Sequence, residues 1–332
     1  MAEGSANVPQ IHDMSDAGAY AAGIAAAAGA LRDGALVAMP TETVYGLAAD
    51  ATNPRAVGEV FLAKGRPRFN PLIVHVASLA AARSVGEISG EAERLAVAFW
   101  PGPLSLVVRK RAAAVADLVT AGLDTVAIRV PAHAVALDLL AAFDGPFAAP
   151  SANRAGHVSP TSAAHAVADL GRSIAVVLDA RPTPIGIEST VVGFAGGRAR
   201  LLRPGAVPAA GIATVLGYEP AGPADQTGRP SAPGRLASHY APAAAMRLDV
   251  TEVRPGEALL AFGDAMPPGA EDASAVVNLS PSGDLSEAAA RFFGALRDLD
   301  RKAEVIAVMP IPETGLGEAI NDRLRRAAAP RG

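Results

Sequence analysis

Short apolar segments of strand length recur along the first two thirds of this chain, and segments with helical character separate several of them. Residues 35–39, 104–109 and 125–130 are the clearest strand candidates. Strands that mix with helices without strict alternation favour a twisted mixed sheet with flanking helices over a purely parallel sheet. Aromatic residues make up 4% of the chain, whereas Ala, Gly and Val are abundant. The core is therefore built mainly from small aliphatic side chains, which let helices and sheet approach closely.

The same patterns predict the individual elements before residue 217. Ser15 can cap a helix over residues 15–33, and Gly34 suits the end of that helix. Asn53 followed by proline predicts the start of a second helix, which runs to about Lys64. Further helices are predicted at 91–100, 133–143 and 162–170, and further strands at 72–76, 147–149, 175–179, 190–194 and 199–202.

A change of composition near Gly217 divides the chain. Residues 218–242 are rich in Pro, Gly, Ala and Ser and show little periodicity, which is typical of a linker. Strands are predicted again at 246–250, 258–262, 276–279 and 305–309, and helices at 285–300 and 316–328. We therefore expect an α/β domain at 14–216, a linker at 217–243 and a smaller, Rossmann-like α/β domain at 244–330.

Charge and cysteine content exclude several classes of function. The 29 basic and 33 acidic residues give a net charge of −4, which provides no overall electrostatic reason to bind nucleic acid. The absence of cysteine excludes disulfides, thiolate nucleophiles and Cys-based zinc sites. The polar start lacks the order of a signal peptide, and the Ala-rich run at 21–31 is too short to span a bilayer. We expect a cytoplasmic protein without a membrane segment.

Common catalytic motifs are absent from the sequence. It contains no P-loop, no H-E-x-x-H and no G-x-S-x-G pattern. Gly315-Leu-Gly317 lacks the third glycine and the preceding strand of a dinucleotide loop. The six histidines have no metal-ligand spacing, so no metal bound by protein side chains is expected.

Polar clusters instead follow the apolar strands, where α/β proteins usually bind ligands. Residues 40–47 crowd two hydroxyls, a carboxylate and a phenol into one turn, and Lys64 and Arg66 flank a glycine. Such a pair of cations suits a polyphosphate, although a solvated basic turn is the alternative. Arg129 ends a strongly apolar strand and needs either a buried partner or a carboxylate-bearing ligand.

Further clusters of hydroxyl, amide and charged side chains lie at residues 149–153, 159–161, 186–190 and 203–205. Each alone could be an ordinary turn. Together they supply cations, hydroxyls and amides without an evident nucleophile or acid–base pair. That set suits phosphoryl or nucleotidyl transfer, in which positioning and charge stabilisation do most of the work.

In this order, the clusters resemble the threonylcarbamoyl-AMP synthase family, whose catalytic domain has the YrdC-type fold, a twisted mixed sheet with flanking helices. The matching motifs are P-T-E-T-V-Y-G-L, K-x-R, N-P-L-I-V-H, S-x-N, S-P-T and G-I-E-S-T-V-V. The S-H-Y-A-P of the linker and the G-L-G-E-A-I-N-D-R-L-R-R-A near the C-terminus resemble the long, two-domain form of the family. The resemblance covers roughly residues 15–328.

The resemblance implies a nucleotidyltransferase that converts L-threonine, bicarbonate and ATP into threonylcarbamoyl-AMP and pyrophosphate, with Mg²⁺ held through the ATP phosphates. The K-x-R and S-x-N residues assigned to catalysis are Lys64, Arg66, Ser151 and Asn153. The residues implied around threonine are Thr43, His75, Arg129, Ala149 and Ser189. Those implied around ATP are Arg66, Asn70, Thr125, Ser151, Ser159, Arg203 and Tyr240, the last folding back with the linker.

The product is implied to feed a tRNA threonylcarbamoyl-transferase machinery, with weak or absent direct binding of tRNA. Three alternatives remain at this stage: a carbamoyl-transfer domain, an RNA-binding module, and a regulatory nucleotide sensor that binds ATP without turnover. Residues 244–332 carry no cluster comparable to those of the first domain, and their role is open. Asn321, Asp322 and Arg323 are expected to be helix-surface or interdomain polar residues rather than catalytic ones.

Overall fold

The structure, a computed structural model, describes residues 8–222 and 238–330. They form two α/β units, each built on its own sheet. The expected mixed sheet with flanking helices and the smaller second α/β unit are both confirmed. The exact domain boundaries stay a prediction, and most of the predicted linker, residues 223–237, lies outside the described residues.

The N-terminal unit contains a ten-stranded sheet with the order β1-β8-β2-β3-β7-β4-β6-β5-β9-β10. Both parallel pairs, such as β4 with β6, and antiparallel pairs, such as β5 with β6, occur in this sheet. The strands are β1 Gln10–Asp13, β2 Val37–Met39, β3 Gly46–Asp50, β4 Ile73–His75, β5 Leu104–Arg109, β6 Thr125–Arg129, β7 Phe147–Ala148, β8 Val176–Asp179, β9 Thr190–Ala195 and β10 Arg198–Arg203.

Helices cover one face of this sheet from β8 to β10, and they cover the other face only in part. The helices are α1 Ala17–Arg32, α2 Pro54–Lys64, α3 Leu79–Val85, α4 Glu91–Phe99, α5 Ala134–Phe143, α6 Ala163–Leu170 and α7 Ala209–Leu216. On the second face, α1 and α5 pack on β2, β3, β7 and β8 in one apolar cluster. A separate small cluster of Ile73, Val107, Ala127 and Val191 forms the remaining floor of that face.

The C-terminal unit is a four-stranded, fully parallel sheet with the order β11-β14-β12-β13. Its elements are β11 Ala245–Arg247, β12 Ala258–Ala261, β13 Ala275–Asn278, α8 Leu285–Asp300, β14 Val305–Val308 and α9 Leu316–Ala328. Asp284 caps α8 by accepting from the backbone of Ser286 and Glu287. The helix buries Ala288, Phe292, Leu296 and Leu299, as their spacing predicts.

One apolar cluster contains residues of both units. Val44, Val158 and Ile187 of the N-terminal unit pack in the same cluster as α8 and α9. A side chain on Gly186 would collide with the backbone of Ala289 and Ala290, so the loop before β9 lies directly on α8. The C-terminal unit therefore contacts the segment that leads into Ser189.

Some local predictions were wrong. The cap of α1 is Asp16, which accepts from the backbone of Ala19, and not Ser15. The strands Gly46–Asp50 and Gln10–Asp13 and the helices Leu79–Val85 and Ala209–Leu216 were not predicted. Within the described residues, no helix is long and apolar enough to cross a membrane.

Candidate active site

A cavity lies on the partly uncovered face of the large sheet. Strands β6 and β10 end, and β9 begins, at one edge of the sheet, whereas β2 and β7 end at the opposite edge. Residues next to both sets of ends reach the cavity. The cavity is lined by Thr43, Val44, Arg66, Leu72, Ile73, Arg129, Pro150, Ser151, Glu188, Ser189, Arg203, His239 and Tyr240. Half of the predicted site residues are among them.

The floor beside the cavity extends along β6. Thr125, Ala127 and Arg129 point to the same face, because alternate residues of a strand share a face. Four residue steps separate Thr125 from Arg129, which corresponds to about 13 Å. Between them on this face lies only Ala127, part of an apolar floor with a hydroxyl at one end and a guanidinium at the other.

Arg129 is buried and already has a carboxylate partner. Its Nη2 lies 2.6 Å from Oε1 of Glu42, and its Nη1 donates to Oγ1 of Thr43 at 2.9 Å. The sequence left open whether a protein partner or a ligand balances this charge, and Glu42 provides the protein partner. Thr43 and Arg129 still line the cavity, so a second carboxylate can reach the guanidinium.

His75 lies beside Arg129 in the sheet and faces the same side. Burial, helped by the charge of Arg129, lowers the pKa of His75 to about 3. The imidazole is therefore neutral at physiological pH, and its Nδ1 has no hydrogen-bond partner within residues 8–222 and 238–330. A neutral ring can accept a hydrogen bond from an ammonium or hydroxyl group of a ligand.

Arg66 is held by the turn that follows it. Its Nε and Nη2 donate to the carbonyl oxygens of Asn70 and Pro71 at 3.1 and 2.8 Å. Burial lowers the pKa of Arg66 to about 10, which leaves it charged at neutral pH. Asn70 is buried, and among the described residues its Oδ1 has no partner.

Lys64 and Asn153 are buried beside the cavity and do not line it. Nζ of Lys64 donates to the carbonyl oxygens of Ser151 and Asn153. The Asn153 amide donates to the carbonyl oxygens of Arg154 and His157 at 2.7 and 2.8 Å. Both side chains fix the loop that presents Ser151. Burial, and then the charge of Arg66, holds the pKa of Lys64 well below its usual value.

Ser189 and Arg203 form a connected pair at the other wall. Nη2 of Arg203 donates to the carbonyl and the hydroxyl of Ser189 at 2.6 and 3.2 Å. The Ser189 hydroxyl also lies 2.8 Å from the Ser105 hydroxyl. With Arg66 and Arg129, Arg203 gives the cavity three buried guanidinium groups, which favour an anionic ligand.

Ser159 does not line the cavity, but it contacts a residue that does. Its Oγ donates to Oε1 of Glu188 at 2.6 Å. Oε2 of the same carboxylate accepts from Nε of Arg323 in α9 at 3.0 Å. Of the two positions expected for Arg323, on the helix surface or between the domains, the structure shows the second.

Tyr240 brings the end of the linker over the cavity. It is buried, its ring lies 5.7 Å from that of Phe293, and its backbone has a positive φ of 64°. Its hydroxyl has no hydrogen-bond partner in the described part of the chain. His239 lies against Tyr240 with ring centroids 4.0 Å apart, and burial, followed by Arg66 and Lys64, lowers its pKa well below the usual value.

The remaining predicted residues, Ala149 and Thr125, differ in position. Ala149 donates its backbone N–H to Ile73 at 3.0 Å beside the cavity, whereas Thr125 lies at the far end of β6. Sequence reasoning assigned no site role to Glu42, Ser105, Glu188, His239 or Arg323. Glu42, Glu188, His239 and Arg323 lie inside the motifs that carry the family resemblance, and this was the signal available for them.

The side chains of the described residues do not form a metal site by themselves. In residues 8–222 and 238–330, no cluster of three or more His, Cys, Asp or Glu side chains could hold a metal ion. A cation in this cavity would therefore depend on ligand oxygens.

Two family models match consecutive parts of the chain. The one described as "Telomere recombination" matches residues 29–205, and the one described as "Threonylcarbamoyl-AMP synthase, C-terminal domain" matches residues 207–329. Together they span both units and the predicted linker.

Individual relatives match over nearly the whole length. The threonylcarbamoyl-AMP synthase of Pyrococcus abyssi is 43% identical over 318 residues, which cover 91% of this chain and 93% of that protein. That of Bacillus subtilis is 40% identical over 325 residues and 93% of each chain. The crystal structure of P. abyssi Sua5 complexed with L-threonine has a TM-score of 0.84 at 40% identity, covering 92% of this chain and 94% of that one.

Proposed function

Because the chain belongs to the threonylcarbamoyl-AMP synthase family, we propose that it is a nucleotidyltransferase that makes threonylcarbamoyl-AMP and pyrophosphate from L-threonine, bicarbonate and ATP. The observation that carries this proposal is a single cavity lined by three buried arginines, two hydroxyl-bearing side chains of the predicted threonine site, and the linker tyrosine. The two ends of the cavity suit the two larger substrates differently.

Threonine is proposed to bind beside Arg129. Its carboxylate pairs with the Arg129 guanidinium, which keeps a free approach from the cavity side. Thr43 and Ser189 supply hydroxyl groups from the cavity wall. His75 lies beside Arg129 outside the present cavity wall, and its neutral ring would accept from the substrate amine or hydroxyl. A structure of a relative that is 40% identical was solved with L-threonine, which supports this assignment.

ATP is proposed to lie along the other side of the same cavity. Arg66 and Arg203 neutralise the phosphates, and Ser151 contacts them from the loop that Lys64 and Asn153 hold. Asn70, Ser159 and Thr125 would contact the nucleotide outside the present cavity wall. The apolar floor along β6 has room for the nucleoside between Thr125 and Arg129.

The proposed reaction needs positioning more than acid–base groups. The threonine amine and bicarbonate form a carbamate with loss of water, and a carbamate oxygen then bonds to the α-phosphorus while the bond to pyrophosphate breaks. Arg66 and Arg203 stabilise the charge that develops on the phosphate oxygens. Mg²⁺, bound through those oxygens, would supply further charge neutralisation when present. Lys64 acts with Asn153 by fixing the loop of Ser151.

Closure by the linker is proposed to protect labile species. Tyr240 and His239 line the cavity, so the linker end excludes water from one side of it. A carbamate and a mixed anhydride both react with water, and an enclosed site limits that loss. The product is then proposed to serve a separate transferase that modifies adenosine in tRNA, without strong direct tRNA binding by this chain. The cytoplasmic location stays a prediction.

Pyrophosphate release from Mg·ATP tests the proposal directly. Release that requires both L-threonine and bicarbonate is the expected result, with each omitted in turn as the control. ATP binding without that dependence would contradict the synthase and favour a nucleotide sensor. Salt-sensitive tRNA retention without turnover would favour an RNA-binding module.

A further inference from the structure

Arg323 of α9 is a fully buried cation that belongs to the C-terminal unit and contacts the N-terminal one. Its side chain is 0% exposed. Besides the bond to Glu188, Nη1 donates to the carbonyl of Pro204 at 2.7 Å and to Oδ2 of Asp322 at 2.8 Å. Pro204 directly follows Arg203, so Arg323 reaches two segments of the cavity wall, one before β9 and one after β10.

Glu188 connects this arginine to the proposed ATP site. One carboxylate oxygen accepts from Ser159 and the other from Arg323, so both oxygens are fixed. Glu188 itself lines the cavity and precedes Ser189. A buried carboxylate in this position would repel a polyphosphate if its charge were not balanced.

The same guanidinium contacts the linker. Its central carbon lies 5.3 Å from the centroid of the Tyr240 ring, on which Phe293 of α8 also packs. A cation near an aromatic face is attractive, and more so away from water. One residue of α9 therefore touches both the carboxylate in the cavity wall and the tyrosine that closes the cavity.

We propose that Arg323 is a positioning residue through which the C-terminal unit completes the nucleotide site: it neutralises Glu188, thereby orienting Ser159, and holds Tyr240 in the closed arrangement. This inference rests on the proposed function, because it names how the same site is held ready for ATP. It gives residues 244–330 a role in substrate binding that the sequence left open.

The competing explanation is that Arg323 only holds the two units together and has no specific effect on the nucleotide site. Arg297 provides a matched control for this explanation. This arginine of α8 also crosses between the units, donating to Asp169 at 2.8 and 3.1 Å and to the carbonyl of Val158. It has no bond to Glu188 among those described. Loss of Arg297 should weaken docking without leaving Glu188 unbalanced.

The test compares Arg323→Met, Glu188→Gln, the double variant and Arg297→Met in the full chain. We measure KM for ATP and kcat in threonine-dependent pyrophosphate release, and the thermal unfolding midpoint with and without Mg·ATP. Arg323→Met should raise KM for ATP at least tenfold, with a smaller loss of kcat. In the double variant, KM for ATP should return to within about threefold of wild type, because Gln still accepts from Ser159 and no unbalanced carboxylate remains. The contact with Tyr240 stays lost in both variants and accounts for the remaining difference of up to about threefold. Arg297→Met should lower the unfolding midpoint while KM for ATP stays within twofold.

Three results would overturn the proposal: a folded Arg323→Met protein with normal KM for ATP, an equal rise in KM in Arg297→Met, or a double variant no better than Arg323→Met. The ATP-induced shift of the unfolding midpoint keeps this inference separate from the proposed function. If wild type binds ATP but releases no pyrophosphate, the synthase proposal fails. The role of Arg323 is then still decided by the unfolding midpoint: its ATP-induced shift should be lost in Arg323→Met and recovered in the double variant.

Discussion

Glu42 and Arg129 form a buried ion pair behind the proposed threonine site, with 2.6 Å between Oε1 and Nη2. Neither side chain is more than slightly exposed, at 6% and 4%. The pair fixes the guanidinium in the cavity wall before any ligand arrives. A fixed donor loses less entropy when a carboxylate binds to it.

Replacing Arg129 separates the stability of this pair from its proposed binding role. Arg129→Met leaves Glu42 buried without its partner, which should destabilise the fold by about 3–5 kcal/mol. Arg129→Met/Glu42→Gln removes both charges and should recover most of that stability, yet threonine-dependent turnover should stay lost. Urea unfolding measures the first effect and pyrophosphate release the second. Recovery of turnover in the double variant would contradict a direct contact between Arg129 and threonine.

Arg66 is the cation whose removal should affect the reaction most. Arg66→Ala removes a charge that lines the cavity and the two bonds that hold the turn at Asn70 and Pro71. Pyrophosphate release should fall by roughly 10²–10³-fold or more, as for loss of a preorganised electrostatic group. Arg68→Ala is the matched control, because Arg68 lies two residues away and is exposed. Near-normal turnover of Arg66→Ala at saturating ATP would remove Arg66 from the mechanism.

The strongest local patterns predicted their elements well. The Asn-Pro start of α2 is confirmed by the bonds of Asn53 to the backbone of Arg55 and Ala56, and α8 and α9 have the predicted bounds. The strand Gly46–Asp50 was missed, because its sequence, G-L-A-A-D, has little strand preference. It forms through pairing with β2 and β7, partners that lie outside any local window.

The sequence likewise predicted part of the candidate site and missed the rest. Motifs identified Thr43, Arg66, Arg129, Ser151, Ser189, Arg203 and Tyr240, which the structure brings to one cavity, although their roles stay predictions. The bond between Glu188 and Arg323 joins residues 135 positions apart. Arg323 sits in a helix rich in polar residues, where a buried arginine and an exposed one look alike in sequence. Only the packing of the two units distinguishes them.

One buried and one partly buried histidine should make the free energy of unfolding fall in mild acid. Burial lowers the pKa of His75 to about 3 and that of His165 to about 4, from 6.5. Below pH 6.5 the unfolded chain therefore binds more protons than the folded chain, so stability is full above 6.5 and declines toward pH 4. Buried His75 costs up to about 1.4 kcal/mol per pH unit, and His165, which is only partly buried, costs less because solvent screens its charge.

Urea unfolding between pH 7 and pH 5 measures this slope. His165→Gln removes one titrating group and keeps an acceptor for the backbone of Thr161, so the slope should become shallower. An unchanged slope in His165→Gln would mean that this imidazole does not stay neutral in the folded protein.

Tyr240 should control how much activated product is lost to water. Tyr240→Phe keeps the ring that packs on Phe293 and removes a hydroxyl that has no partner among the described residues, so stability should change by less than about 1 kcal/mol. Tyr240→Ala removes the ring that closes the cavity and should let water reach the mixed anhydride.

Hydrolysis of threonylcarbamoyl-AMP yields AMP, so the ratio of AMP to intact product reports this loss. Measured by chromatography with time, the ratio should rise several-fold in Tyr240→Ala and stay near wild type in Tyr240→Phe. An equal rise in both variants would assign the effect to the hydroxyl, and no rise in either would show that the linker end does not shield the product.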